Sequence, residues 1–306
     1  MNSAVSEPRL IGIDWGTTSL RAFLIDADGN VIDRSLSPEG IMQIPKETFE
    51  AAFDRLIGPW LANTNLPILV SGMITSRNGW IETPYAGLPM GAHGLAQTLV
   101  PHETTSGTLI HFITGASAEH TSGPDVMRGE ETQIIGAFAL GLRDGTFVMP
   151  GTHSKWVQVS NEQIIDFSTY MTGEIFTALK EHTILGKLME SVEFNAEGFE
   201  KGITAGLDGG SSLLRNLFYV RTLPLLDKIP KSEVSDYMSG LLIGSEVSTA
   251  TSQLEDTDPI TIVGRSDLSE RYEIALRVAG VECRRAPDDV VANGHFLIAS
   301  AAGLIS

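Results

Sequence analysis

The sequence predicts an α/β protein of two lobes, and three observations carry that prediction. At 306 residues the chain is about twice the roughly 150 residues of one domain, enough for two cores. Short alternating or apolar runs are interleaved with segments of helical period. The same order of elements also begins twice, near residues 10 and 146, although the letters themselves do not repeat.

Taken in order, Leu10–Asp14 is an apolar run ending in a turn. Leu20–Asp26 alternates as a second strand, and Val31–Ser37 follows the turn signal Asp28-Gly29-Asn30. Residues 47–61 place Phe49, Phe53, Leu56, Ile57 and Trp60 at helical spacing, and Pro67–Ser71 and Thr108–Thr114 read as buried strands. The second half repeats the meander with Thr146–Pro150, Lys155–Ser160 and Gln163–Thr169. Helices are expected at Gly173–Glu190, Ser232–Thr251 and about 267–279, with strands at Ile260–Gly264 and near Val281–Arg284. The Met/Leu-rich stretch Tyr237–Val247 reads as core, and the glycine-rich stretch Gly202–Ser212 as a loop. Two such lobes would enclose a cleft.

Composition excludes several classes of partner. Twenty-one lysines and arginines against 38 aspartates and glutamates give a formal charge of −17, and the longest basic run is Arg284-Arg285. A polyanion or an anionic membrane needs a basic face, so neither nucleic acid nor membrane is an expected partner, whereas a homo-oligomer stays open. The single cysteine, Cys283, excludes an internal disulfide and reads as an inert thiol. Residues 1–10 lack an apolar signal core and no run approaches the ~18 apolar residues of a membrane helix, so a soluble cytoplasmic protein is expected.

Chemistry concentrates in two turns at equivalent places in the two meanders. Asp14-Trp15-Gly16-Thr17-Thr18-Ser19 sets an aspartate at a strand end before a glycine and hydroxyl turn, whose N–H groups and hydroxyls suit phosphate oxygens while the aspartate suits Mg²⁺. Its plain alternative is a polar hairpin. The second turn, Pro150-Gly151-Thr152-His153-Ser154-Lys155, adds a lysine in a chain short of positive charge. A nucleotide lying between two lobes needs one phosphate loop from each. Neither G-x-x-x-x-G-K-[ST] nor a strand-borne G-x-G-x-x-G is present.

The first turn resembles the first phosphate motif of the sugar kinase, Hsp70 and actin superfamily. SGMITSRNGWIETPY (71–85), MRGEETQIIGA (127–137), MPGTHSKWV (149–157), FSTYMTGEIF (167–176) and YMSGLLIG (237–244) resemble the 2-dehydro-3-deoxygalactonokinase family of galactonate degradation. That resemblance covers nearly the whole chain. It implies an actin-like ATPase fold of two ribonuclease-H-like lobes, duplicated βββαβα, with ATP in the cleft. An N-terminal lobe over 1–115 would carry the first phosphate motif and sugar-acid contacts, and a C-terminal lobe over 116–306 the second motif and the adenosine side. The implied reaction moves the γ-phosphoryl of ATP to the 6-hydroxyl of 2-dehydro-3-deoxy-D-galactonate. Asp14 would serve Mg²⁺; Gly16, Thr17 and Thr18 the phosphates; Gly151, Thr152, His153 and Lys155 the second phosphate loop. Gly264 would lie near adenosine, the superfamily's glycine pair being Gly264-Arg265 here.

Phosphoryl transfer to a hydroxyl also needs a carboxylate base. Related glycerol and xylulose kinases begin a helix with G-D-Q-x-A before the second motif; the comparable place here is Gly129-Glu130-Glu131-Thr132-Gln133. Glu130 is the first candidate, with Asp125 and Glu131 next, and an acidic helix start complementing the dipole is the alternative. For the substrate carboxylate, the fifty residues 78–127 contain no lysine or arginine, and Arg77 and Arg128 bracket the gap. Arg77 is the first choice against a surface ion pair. Asn78 would add a hydrogen bond, Trp80 a stacking wall unless it is core, and Tyr85 a hydroxyl. Glu174 either holds sugar hydroxyls or begins its helix. His93, His102, His111 and His120 recur nine residues apart, a spacing that matches neither a helix face nor usual zinc ligands. The rival readings are a kinase of another keto-deoxy acid or sugar, and a nucleotide-dependent switch without kinase activity.

Overall fold

A computed structural model of the protein describes residues 7–62, 65–190, 193–208, 212–252, 254, 258–287 and 289–305. The first meander is β1 (Pro8–Trp15), β2 (Leu20–Asp26) and β3 (Val31–Ser37), and helix α1 (Phe49–Leu61) follows. The β2–β3 turn forms because Asp26 Oδ1 accepts the Asp28 and Asn30 N–H groups while Gly29 takes φ 84°. Next come β4 (Ile68–Ser71), β5 (Tyr85–Gly87), α2 (Ala92–Gln97), β6 (Val100–Glu103), β7 (Leu109–Phe112), β8 (Gly115–His120), β9 (Gly123–Met127) and α3 (Glu130–Phe138).

The second half runs β10 (Gly145–Met149), β11 (Ser154–Ser160), β12 (Gln163–Tyr170), α4 (Thr172–His182), α5 (Ala196–Asp208), α6 (Leu213–Leu225), α7 (Val234–Thr251), β13 (Ile260–Ile262), α8 (Ser266–Val278), β14 (Cys283–Arg285) and α9 (Val290–Ala301). Duplication is explicit in the sheets. One is ordered β3-β2-β1-β4-β7-β6, the other β12-β11-β10-β13-β14, so five strands repeat in the same spatial order. In each sheet the first strand of the meander pairs in parallel with the strand after a helix, β1 with β4 and β10 with β13. The extra β5-β8-β9 sheet, α2 and β6 belong to the first half alone. Among the described residues no helix is long and apolar enough to cross a membrane.

By contacts the chain divides into a first unit of Met1–Asp144, Gln158–Phe167 and Asp289–Ser306, and a second of Gly145–Val157 and Ser168–Asp288. This differs from a division at 115/116. β8 pairs with β5, and α3 packs on α9, so these later elements stay with the first unit. The first core gathers Ile11, Ile13, Trp15, Phe49, Phe53, Val70 and Phe112; the second gathers Val148, Trp156, Phe199, Ile203, Val247, Ile262 and Tyr272.

Most of Gly202–Ser212 is not a loop. Residues 202–208 are helical, 209–211 lie outside the described residues, and Ser212 precedes α6. Its glycines serve packing rather than turning. A methyl at Gly202 would lie 2.1 Å from the Tyr237 carbonyl oxygen, and one at Gly240 would lie 2.1 Å from that of Phe199, so α5 and α7 meet backbone to backbone. The same device joins α3 to α9, where methyls at Gly136 and Gly294 would strike Val290 O and Thr132 O. Helix α7 is buried on nearly every side, as its apolar composition predicts.

Candidate active site

In the first unit, the end of β1 delivers Asp14 into a fixed turn. Gly16 N–H donates to Ser19 O at 2.9 Å, and the Ile41 and Met42 N–H groups donate to Gly16 O and Thr17 O at 3.1 Å each. Thr17 and Thr18 stay exposed, while Asp14 is only 8% exposed. Arg21, opposite Asp14 in the β1–β2 register, grips Asp14 Oδ2 through Nε at 3.1 Å and through Nη2. Beside Asp14 runs the end of β4, with Ser71 as its parallel partner and Gly72 next at φ 97°. A methyl at Gly72 would come within 2.7 Å of Trp15 O and 3.1 Å of Asp14 Oδ1, so only glycine fits.

The start of α3 lies against the same point. Gly129 has φ 104°, and a methyl there would be 3.0 Å from Gly72 Cα. Glu130 and Glu131 fold back on this turn: Glu130 Oε2 accepts the Arg128 N–H at 2.8 Å, and Glu131 Oε2 accepts the Gly129 N–H at 2.7 Å. The two acids differ in environment. Glu130 is partly exposed, whereas Glu131 is 1% exposed, and burial plus the neighbouring Glu130 charge push its carboxyl up to about 8. Burial thus favours the protonated form of Glu131, and its carboxyl is turned inward onto the Gly129 N–H while Glu130 keeps partial exposure. Asp125 lies in the edge strand β9, where its Oδ1 accepts the Val126 N–H, and is not part of the α3 start.

His295 on α9 completes this region and has no counterpart in the motifs. Fully buried, its ring rests on Gly12, where a methyl would lie 2.7 Å from Nδ1, and Nε2 meets Ser71 Oγ at 2.9 Å. Ser71 Oγ also reaches Ile13 O at 3.4 Å, and the imidazole tautomer sets which of Ser71 Oγ and Nε2 donates to the other. Burial lowers the imidazole from the usual 6.5 to about 4. Its signal in the sequence is that it is the only ionisable side chain in the run 290–301.

These two buried groups give opposite pH dependence. The depressed His295 binds a proton more readily in the unfolded chain, so stability rises with pH from about 4 to 6.5. The raised Glu131 loses its proton more readily in the unfolded chain, so stability falls with pH from 4.5 to about 8. They offset each other until 6.5; above it Glu131 removes about 2 kcal/mol by pH 8, at about 1.4 kcal/mol per pH unit, and the buried Glu246, also raised, acts in the same direction. Glu131→Gln should make that fall in urea midpoints shallower, and a wild-type pH profile in the variant would contradict the assignment.

The acid-recognition candidates divide. Arg77 and Asn78 are exposed on the loop between Thr75 and Thr83, beside Ser76, whose buried Oγ has no hydrogen-bond partner. Arg128, by contrast, is buried and spends both terminal nitrogens on backbone and threonine oxygens, leaving only Nε without a hydrogen-bond partner among the described residues. At 8% exposure, its Nη1 donates to Thr75 O, Thr75 Oγ1 and Thr83 Oγ1 at 2.6–2.8 Å and its Nη2 to Thr83 O at 3.0 Å, while the guanidinium lies 4.2 Å from the Tyr85 ring centroid. Arg128 thus clamps both ends of the loop that carries Arg77, with Tyr85 as its cover. Trp80 is core rather than a wall for sugar: its ring packs edge-on against Trp15, Phe53, His102 and Phe112. The four evenly spaced histidines fall on four different elements, α2, β6, β7 and β8.

In the second unit, Gly151, Thr152 and His153 form the turn between β10 and β11. The start of α4 seats on it: Glu174 N–H donates to Thr152 O at 3.0 Å, its carboxylate pairs with His153, and a methyl at Gly173 would be 2.5 Å from Gly151 O. Lys155 lies beneath the turn, 4% exposed, with Nζ donating to His153 O at 3.2 Å. Gly264 follows β13 at φ 157° and approaches Pro150; its carbonyl accepts the Ser269 hydroxyl in the first turns of α8. A cavity of about 340 Å³ opens beside Gly151 and is lined by Thr172, Gly173, Phe176, Phe194, Ser239, Asp267, Arg271 and Tyr272 among others. Arg271, absent from the motif-based candidates, is held there by Ser239 Oγ at 3.1 Å and Asp236 at 3.6 Å, 4.7 Å over the Phe194 ring.

Comparison with known proteins follows the same lines. An Escherichia coli K12 protein named 2-dehydro-3-deoxygalactonokinase is 35% identical over 281 residues, 92% of this chain and 94% of that one. A crystal structure from Sinorhizobium meliloti superposes with a TM-score of 0.88 at 32% identity, covering 95% and 98% of the two chains. Component A of the Acidaminococcus fermentans (R)-2-hydroxyglutaryl-CoA dehydratase, 12% identical and covering 97% and 100%, has a TM-score of 0.54 and shares the actin-like ATPase fold. The profile of 2-keto-3-deoxy-galactonokinase matches residues 14–298, and the chain belongs to that kinase family.

Proposed function

We propose that the protein transfers the γ-phosphoryl group of ATP to the 6-hydroxyl of 2-dehydro-3-deoxy-D-galactonate, giving the 6-phosphate and ADP. The observation that supports this reading is that Gly72 packs against Asp14 on one side and Gly129 on the other, so the start of the helix that carries Glu130 lies close to the phosphate-turn aspartate. The Gly16–Thr18 and Gly151–His153 turns supply N–H and hydroxyl donors for phosphate oxygens, with Lys155 adding charge beneath the second. The nucleoside occupies the cavity beside Gly151, where Arg271 and Phe194 offer flat surfaces and Asp267 and Ser239 offer polar contacts.

Glu130 accepts the hydroxyl proton as the acceptor oxygen forms its bond to the γ-phosphorus and the bond to the β-phosphate oxygen breaks. Arg77, with Asn78, binds the substrate carboxylate. Magnesium fits this residue set. Among the described residues no three metal-binding side chains cluster, and Mg²⁺ beside a nucleotide needs only one or two carboxylates besides water and phosphate. Asp14 would hold it through Oδ1, with Arg21 on Oδ2; when bound, it neutralises charge on the phosphate oxygens. A coupled assay of ADP release over 2-keto-3-deoxy acids and hexoses tests the reading. The galactonate derivative should give the highest kcat/KM, and a hexose preference or acid-independent ATP hydrolysis would overturn it.

A further inference from the structure

One charged side chain interrupts the apolar run Tyr237–Thr251, and it is Glu246. At 3% exposure it lies inside the second unit with four donors around it. Trp156 Nε1–H donates to Oε1 at 2.8 Å; the hydroxyls of Ser154 and Tyr272, each at 2.8 Å, and of Thr172 donate to Oε2. Burial raises the Glu246 carboxyl while the four donors favour its ionised form, which has about four acceptor positions and no donor; one donor meets Oε1 and three crowd onto Oε2. Burying a carboxylate without such partners would cost several kcal/mol, and three elements, β11, α4 and α8, converge to meet the need.

The donors mark the boundary of the nucleotide region. Ser154 begins β11 directly after the Gly151–His153 turn; Thr172 begins α4, which seats on that turn; Tyr272 belongs to α8, whose start lies by Gly264. Thr172 and Tyr272 also line the cavity. Because Thr172, partly exposed beside the cavity, spends its proton on Glu246, its hydroxyl oxygen presents only lone pairs elsewhere and can accept from ribose hydroxyls or an exocyclic amine, while the Tyr272 hydroxyl, 2% exposed, packs among Glu246, Ser154 and Thr172.

We propose that Glu246 is the positioning residue of the nucleotide site: its carboxylate locks the second phosphate turn to α4 and, through Tyr272, to α8, and fixes Thr172 as a hydrogen-bond acceptor toward the nucleoside. This rests on the cavity beside Gly151 being the nucleoside site. Glu246→Gln keeps the shape but not the polarity. Trp156 can only donate and claims the amide oxygen, so the amide NH₂ faces three hydroxyls that must turn their protons away.

The test is calorimetric binding of ADP to the full chain, with steady-state kinetics and thermal melting alongside. Glu246→Gln should weaken ADP binding by about tenfold or more, the loss expected for hydrogen bonds to a charged group, and raise KM for ATP while KM for the sugar acid holds. A merely structural role would lower the melting temperature and leave the ratio of the two KM values at its wild-type value, which overturns the proposal. Should Glu246→Gln fail to fold, Tyr272→Phe and Thr172→Val each remove one donor, and wild-type ADP affinity in both would likewise overturn it. Arg271→Ala separates the underlying reading: unchanged ADP affinity there sinks the cavity as nucleoside site, whereas weakened binding there with wild-type binding in Glu246→Gln sinks the Glu246 role alone.

Discussion

Glu130→Gln is expected to lower kcat by about 10²- to 10⁴-fold, the span typical of general base removal, while ADP affinity stays near that of the wild type. Geometry explains why the loss should fall on turnover. The substituted amide could still accept the Arg128 N–H through its oxygen, so the helix start would keep its shape while losing the ability to take a proton. Glu131 is a poor substitute, because it is buried, its protonated form is favoured by burial, and it is committed to the Gly129 N–H. Single-turnover measurements separate chemistry from product release. Near-normal turnover in Glu130→Gln would move the base elsewhere, with Asp125 the next carboxylate along the chain.

Arg77→Ala should raise KM for the sugar acid strongly, with about 2–3 kcal/mol lost from a charge-assisted pair, or about 30- to 150-fold in kcat/KM. Its loop needs no help from the Arg77 side chain. Trp80 N–H donates to Ile74 O at 2.8 Å, Thr83 N–H to Thr75 O at 3.0 Å, and Arg128 holds Thr75 and Thr83 from below. Folding should therefore be unaffected. Arg77→Lys should recover part of the affinity, since a single ammonium keeps the charge but not the planar fork. An unchanged KM for the acid in Arg77→Ala would remove the carboxylate role.

How much of this was legible in the sequence depended on where the governing forces act. The six meander strands were readable because strands of period two with Gly or Asn turns are set by local geometry. Gly202 and Gly206 misled because their reason lies across space, in the backbone of α7, and a glycine needed for close approach looks like one needed for a turn. Arg128 was found by its place beside a stretch free of basic residues, yet the two threonine carbonyls that consume it sit 45 and 53 positions away. Trp80 went the same way, into a ring cluster assembled from α1, β1, β6 and β7. Glu246 and His295 carry no motif. Glu246 is the lone charged side chain and His295 the lone ionisable one in its helical run, a pattern that signals a partner to be found without naming it.

The most direct test of the kinase assignment is the identity of the product. Incubation with ATP, Mg²⁺ and 2-dehydro-3-deoxy-D-galactonate, followed by phosphorus–proton correlation spectroscopy, should give one phosphate monoester coupled to the C6 protons for each ADP formed. Release of inorganic phosphate without an ester, or an ester on another hydroxyl, would contradict it.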